Sequence, residues 1–246
     1  MVDKTLMKGL RVLECIARSK TPRGATDVAA ELGMTKSNAY RTLQTLVALK
    51  YIARLSDQPA YEPTAKLFEL GTLVGNRFEV KRMALPILQE IVRRTGENAA
   101  VAVLDDREVV YIERVDSPNP VRSVVKTGER LPSYCSASGK ALLAYAPEKL
   151  IDSLEDVLVP FTENTVTDLA RLRQDLARIR EKDVAIVRGE WHLQVAGVAV
   201  PIRDQAGKVI AALSVSGPAD RLKAPQIRFC TEAAQWGAEE FRRQLS

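Results

Sequence analysis

The chain has 246 residues, 46% hydrophobic and 27% charged, the balance of a folded protein rather than of long disorder. No run approaches the roughly 18–20 apolar residues of a membrane span, and the N-terminus has no signal-peptide core, so a cytoplasmic protein without membrane contact is expected. The net charge is +5. Residues 1–80 carry 12 Lys/Arg against 8 Asp/Glu, and residues 81–246 carry 24 against 23, so the excess sits in the first third and points there to an anionic partner, nucleic acid above all. Three widely spaced cysteines, Cys15, Cys135 and Cys230, fit a reducing compartment. The single histidine, His192, excludes a multi-histidine metal site, and neither metal nor cofactor is expected.

Leu6, Leu10, Leu13, Ile16 and Ala17 recur at helical spacing and predict a helix over 4–18, broken by Thr21-Pro22-Arg23-Gly24. A short helix over 25–32 turns Val28, Ala29 and Leu32 inward, with Gly33 placed for its C-terminal cap. Thr35 is the expected N-cap of a helix over 36–49, buried along Ala39, Leu43, Leu46 and Val47. Strands over 51–55 and 60–63 flank the turn Ser56-Asp57-Gln58-Pro59. Residues 66–80 predict a helix with Leu67, Leu70, Leu73 and Val74 on one face. Another is predicted over 83–95, with Pro86 tolerable in its first turn. Beyond it, strands are predicted over 99–104, 109–115, 121–125, 184–187, 195–202 and 209–215. Helices are predicted over 138–144, 168–182 (capped by Thr167) and 224–245. Antiparallel hairpins with helices between them indicate an α+β sandwich.

The second and third helices have the spacing of a helix-turn-helix, in which the N-terminal half of the second helix enters the major groove. Opposite its buried stripe stand Lys36, Ser37, Asn38, Tyr40, Arg41 and Gln44. Arg41 can pair bidentately with guanine, and Gln44 or Asn38 with adenine. Lys36, Ser37 and Tyr40 suit phosphates. Arg54 and the turn after it form a wing that can reach an adjacent groove.

Gly9-Leu10-Arg11-Val12-Leu13-Glu14, Lys36-Ser37-Asn38-Ala39-Tyr40-Arg41-Thr42-Leu43 and Lys66-Leu67-Phe68-Glu69-Leu70-Gly71 resemble blocks of the isocitrate-lyase-regulator (IclR) family of bacterial transcription factors. Thr95-Gly96-Glu97-Asn98-Ala99, Gly128-Glu129-Arg130-Leu131-Pro132, Ser138-Gly139-Lys140-Ala141-Leu142-Leu143 and Ala211-Ala212-Leu213-Ser214-Val215-Ser216-Gly217-Pro218 continue the likeness across the chain. The resemblance implies a winged helix-turn-helix over 1–65, a linker helix over 66–80 and a GAF-like α/β effector-binding domain over 81–246. It also implies a homodimer or homotetramer whose hold on double-stranded promoter DNA responds to a small-molecule effector. The apolar face of the linker helix is compatible with a dimer contact or with packing inside one subunit. A second reading is a GAF-like sensor acting through protein partners.

By the same resemblance the effector pocket is lined by Ser136, Ala137 and Ser138 and by Ser214 and Ser216, which share one face of a strand. The family's usual cysteine falls on Gly197 and its usual aspartate on Val187, while Glu190 is kept, followed by Trp191 and His192. Glycine opens space and valine removes charge, so a larger or more apolar ligand fits, an aromatic acid in particular. Tyr134, Trp191 and His192 are candidate walls, with a core Trp191 and a surface His192 as the alternative. No catalytic residue is expected. A phosphate loop ending at Gly139-Lys140 would need glycine at 134 and Ser/Thr at 141, where Tyr134 and Ala141 stand. Leu213-Ser214-Val215-Ser216-Gly217 is not a nucleophile elbow, and a Cys135–His192 thiol–imidazole pair is the one remaining arrangement.

Overall fold

The computed structural model describes residues 2–75, 77–121 and 125–245, and the chain divides into two units, Met1–Arg77 and Phe78–Ser246. In the first, the Asp3 carboxylate accepts the N–H groups of Thr5 and Leu6 and opens α1 (Lys4–Arg18). A two-residue strand not foreseen from the sequence, β1 (Arg23–Gly24), precedes α2 (Ala25–Leu32). Gly33 ends α2 in the left-handed region at φ 62°, where a side chain would be strained. Thr35 caps α3 (Lys36–Ala48), accepting the Asn38 N–H. The strands β2 (Ile52–Arg54) and β3 (Ala60–Pro63) complete an antiparallel sheet in the order β1–β3–β2. Val12, Ile16, Val28, Ala39, Leu43, Ile52 and Tyr61 form its core.

The apolar spacing on α1 marks two faces rather than one. The core takes Val12, Cys15 and Ile16, whereas Leu6 and Leu10 are 61% and 51% exposed. The helix α4 (Ala65–Gly75) ends before the predicted position 80. Phe78 takes an extended conformation and caps a new helix, α5 (Glu79–Thr95). Because α5 starts early, Pro86 lies inside it rather than in its first turn. The hydrogen bond it cannot donate falls on a solvent-exposed face.

The second unit is built on one antiparallel sheet ordered β6–β5–β4–β9–β8–β7. Its strands are β4 (Asn98–Asp105), β5 (Glu108–Val115), β6 (Arg130–Pro132), β7 (Ala185–Arg188), β8 (Val195–Arg203) and β9 (Val209–Pro218). The strand expected over 121–125 is not seen at either end, and residues 122–124 lie outside the described residues. Alternation divides the faces. Val101, Val103, Val198, Val200, Leu213 and Val215 pack with α5 and the C-terminal helix α9 (Ala224–Gln244). Ala102, Ala199 and Ala212 face the other way, toward α6 (Ala137–Leu143) and α8 (Leu169–Lys182). Asp168, not Thr167, caps α8, its carboxylate accepting the Arg171 N–H at 2.7 Å. Between α6 and α8 lies a short helix the sequence did not signal, α7 (Glu148–Asp152).

Candidate functional site

On α3, Lys36, Ser37, Tyr40 and Arg41 are exposed and Asn38 is half-buried. The Arg41 guanidinium donates to Asn38 Oδ1 at 2.6 Å, so these two candidate base-reading side chains form one unit. Gln44 is half-buried, and its Nε2 donates to the Tyr61 hydroxyl at 3.0 Å, which ties it to β3. It borders the buried stripe beside Leu43, a position that favours an inward partner. Arg54 is exposed at the end of β2, at the start of the wing turn.

The second unit encloses a cavity of about 700 Å³ on the sheet face that carries α6. Its floor is a cross-strand row: Val187 pairs with Gly197, and Gly197 with Ser216. Ser214 stands two residues along from Ser216 and donates to the Ala100 carbonyl at 3.3 Å. Ser136, Ala137 and Ser138 enter from the start of α6, where the Ser136 hydroxyl accepts the Gly139 N–H. Gly139 lets this turn sit against the chain before it, since a Cβ there would lie 2.0 Å from the Ser133 carbonyl oxygen. Glu190, Trp191 and His192 come from the turn after β7.

Tyr134 does not line the cavity. Its hydroxyl donates to the Val159 carbonyl and accepts the Val159 N–H, at 2.9 and 3.0 Å, which holds the ring in the core. It backs Phe161 instead, with ring centroids 6.3 Å apart. Phe161, which sequence reasoning missed, packs on Trp191 at 4.2 Å, and Trp191 meets His192 edge-on at 5.5 Å. Trp191 is half-buried and His192 exposed, so the aromatic wall runs from core to rim. Phe161 lies in an irregular segment, where no periodicity marks a facing direction.

Sequence reasoning also missed what holds Glu190. Lys140 Nζ donates to Glu190 Oε1 at 2.7 Å and to Asp175 Oδ2 at 3.0 Å, and Arg178 also pairs with Asp175. Burial pushes the Glu190 carboxyl above the usual carboxylate range, opposed by the nearby Lys140 charge and the Val166 backbone. Thr165 Oγ1 donates to the Glu190 carbonyl at 2.7 Å, fixing the turn from the other side. Ser138 Oγ and Glu190 Oε2 are both buried. Cys135 also lines the cavity. Burial pushes its thiol up to about 12, with the Glu190 charge adding to the rise, the opposite of an activated nucleophile.

The family model of the bacterial transcriptional regulator IclR C-terminal domain matches residues 73–242, and that of the IclR helix-turn-helix domain matches residues 5–56. The chain belongs to the IclR family. Like other IclR-family members it is a transcriptional regulator, with a helix-turn-helix DNA-binding domain and a C-terminal ligand-binding domain. The transcriptional regulator KdgR of Escherichia coli K12 is 31% identical over 91% of this chain and 86% of its own length. The IclR structure from Thermotoga maritima is 32% identical with a TM-score of 0.79, covering 98% of each chain. An IclR homologue from Microbacterium hydrocarbonoxydans, solved with 4-hydroxybenzoate, is 29% identical with a TM-score of 0.82, over 98% of this chain and all of its own. Among the described residues no helix is long and apolar enough to cross a membrane.

Proposed function

We propose that this regulator binds its promoter through α3 and the wing, and that a small aromatic carboxylic acid in the cavity modulates that binding. The observation that carries the effector reading is the cavity itself. Its volume of about 700 Å³ lies in the range of small-molecule sites. Phe161 and Trp191 supply an aromatic wall, and Val187 and Gly197 leave the floor apolar and open. Ser138 and Ser216 supply hydroxyl donors for a carboxylate, beside Ser214. The 4-hydroxybenzoate bound by the Microbacterium homologue supports the same ligand class. On the DNA side, Arg41 with Asn38 reads bases, Lys36, Ser37 and Tyr40 hold phosphates, and Arg54 extends the contact from the wing.

The protein acts as a homodimer or a tetramer built from dimers. Phe68, Leu73 and Val74 on α4 are more than half exposed, as are Leu6 and Leu10 on α1, and a second copy would cover them. Two recognition helices on a pseudo-palindromic site multiply specificity.

The test is fluorescence anisotropy with duplexes tiling the region beside its own gene, with and without 4-hydroxybenzoate, at two salt concentrations. One tile should bind far more tightly than its scramble, with log affinity falling by roughly 0.9 per phosphate neutralised for each unit of log salt. The ligand should shift that affinity. No duplex binding at low salt would overturn the DNA reading in favour of a sensor acting through protein partners.

A further inference from the structure

Asn38 and Arg41 stand one turn apart on α3, Asn38 half-buried and Arg41 exposed. Arg41 Nη2 donates to Asn38 Oδ1 at 2.6 Å. A guanidinium has five donors and no acceptor, so this bond fixes which way the Asn38 amide points. Its Oδ1 faces the arginine, and its Nδ2 hydrogens face away from it. Both members of the pair thus present donors to whatever approaches. The helix from Lys36 to Ala48 has no acidic side chain to add an acceptor, and its N-terminus brings a positive partial charge of its own.

An asparagine standing alone reads adenine, its Oδ1 accepting from the N6 amino group while Nδ2 donates to N7. Here an adenine amino group at Oδ1 would share that oxygen with a guanidinium and bring its hydrogens against the positive charge. Guanine presents N7 and O6 on its major-groove edge, two acceptors and no donor. It suits the free edge of Arg41 and the Nδ2 hydrogens alike. Three residues rise about 4.5 Å along a helix, close to the roughly 3.4 Å between stacked bases, so the two side chains span neighbouring pairs.

We infer that Asn38 and Arg41 act together as a donor-only reader of two neighbouring G·C pairs, and that the bond to Arg41 turns Asn38 from adenine to guanine. This rests on the DNA-binding reading of α3 above and narrows it.

The test is selection from a pool of randomised duplexes with the full chain, as wild type, Arg41→Ala, Asn38→Ala and Asn38→Asp, followed by anisotropy on the selected duplex. Wild type should select half-sites with two neighbouring G·C pairs. Asn38→Ala should relax the preference at one of them. Asn38→Asp, which keeps an acceptor for Arg41 but has no donor, should relax the same pair and keep the other. Arg41→Ala should relax the other pair, and its freed amide should move the Asn38 pair toward A·T. Exchanging G·C for A·T at the Asn38 pair should weaken wild-type binding at least about fivefold. A pair other than G·C selected at the position that Asn38→Ala relaxes, or no position relaxed by that variant, would overturn the inference and leave the DNA-binding reading standing. Wild type that enriches no sequence from the pool would overturn that reading, and this inference with it.

Discussion

Lys140 Nζ lies 2.7 Å from Glu190 Oε1, joining residues fifty positions apart in the chain. The contact ties α6, which carries Ser138 into the cavity, to the turn that carries Trp191 and His192. Two walls of the cavity are therefore held by one buried ion pair, with Asp175 of α8 as its third member.

Removing the cation leaves two carboxylates without their shared partner. Lys140→Met is expected to destabilise the protein by about 3–5 kcal/mol, the usual cost of breaking a buried pair. Urea unfolding followed by tryptophan fluorescence would show it as a lowered midpoint. A midpoint within error of wild type would mean that the pair contributes nothing to stability.

The raised pKa of Glu190 gives a signed pH dependence. A carboxyl whose folded value exceeds its unfolded value makes the fold prefer the protonated form. Its contribution is fully present below the ordinary carboxylate pKa and is lost as pH rises through the raised folded value. As pH rises above the ordinary Glu value of about 4.3, wild type should therefore lose stability relative to Glu190→Gln. Chemical denaturation of both proteins across that window measures the difference, and a flat difference would contradict the shift.

Much of this arrangement was legible in the sequence, and the reasons differ by element. Regular helices with local caps, such as α2 with Gly33 and α3 with Thr35, announce themselves because the signals lie within a few residues. The floor of the cavity was legible through the family resemblance, which implies Ser214 and Ser216 there, and strand alternation adds that the two share one face. The Lys140–Glu190 pair was not, since nothing local to either residue names a partner fifty positions away. Tyr134 misled for a related reason: an aromatic beside pocket residues reads as a wall until its hydroxyl is seen bonded to Val159. Pro86 shows the limit of boundary reading, because the capping position at Phe78 carries no side-chain hydrogen bond to mark it.

At the DNA surface, the bond between Arg41 and Asn38 predicts non-additive behaviour. Arg41→Ala should cost about 1–3 kcal/mol of operator affinity if it reads a base. Adding Asn38→Ala should cost less than its effect alone, with a coupling of about 0.5–3 kcal/mol. Anisotropy with the operator duplex measures the cycle. Unchanged affinity for Arg41→Ala would remove that residue from the readout.

Cys135 is fully buried, and its thiol is pushed up to about 12. Alkylation of native protein at neutral pH should therefore be much slower at this cysteine than in urea, by mass spectrometry of the labelled peptide. Rapid native labelling would instead point to a reactive thiol and revive a pairing with His192.

The two faces of the central sheet answer to different demands. Along β9, Leu213 and Val215 pack against α5 and α9, while Ser214 and Ser216 line the cavity. Along β8, Ala196 and Val198 belong to the first face and Gly197 to the second. A substitution at 187, 197, 214 or 216 can therefore reshape what the domain recognises while leaving the packed layer beneath it intact. Variants of such a scaffold can change which ligand the cavity admits through a few side chains on one face of the sheet.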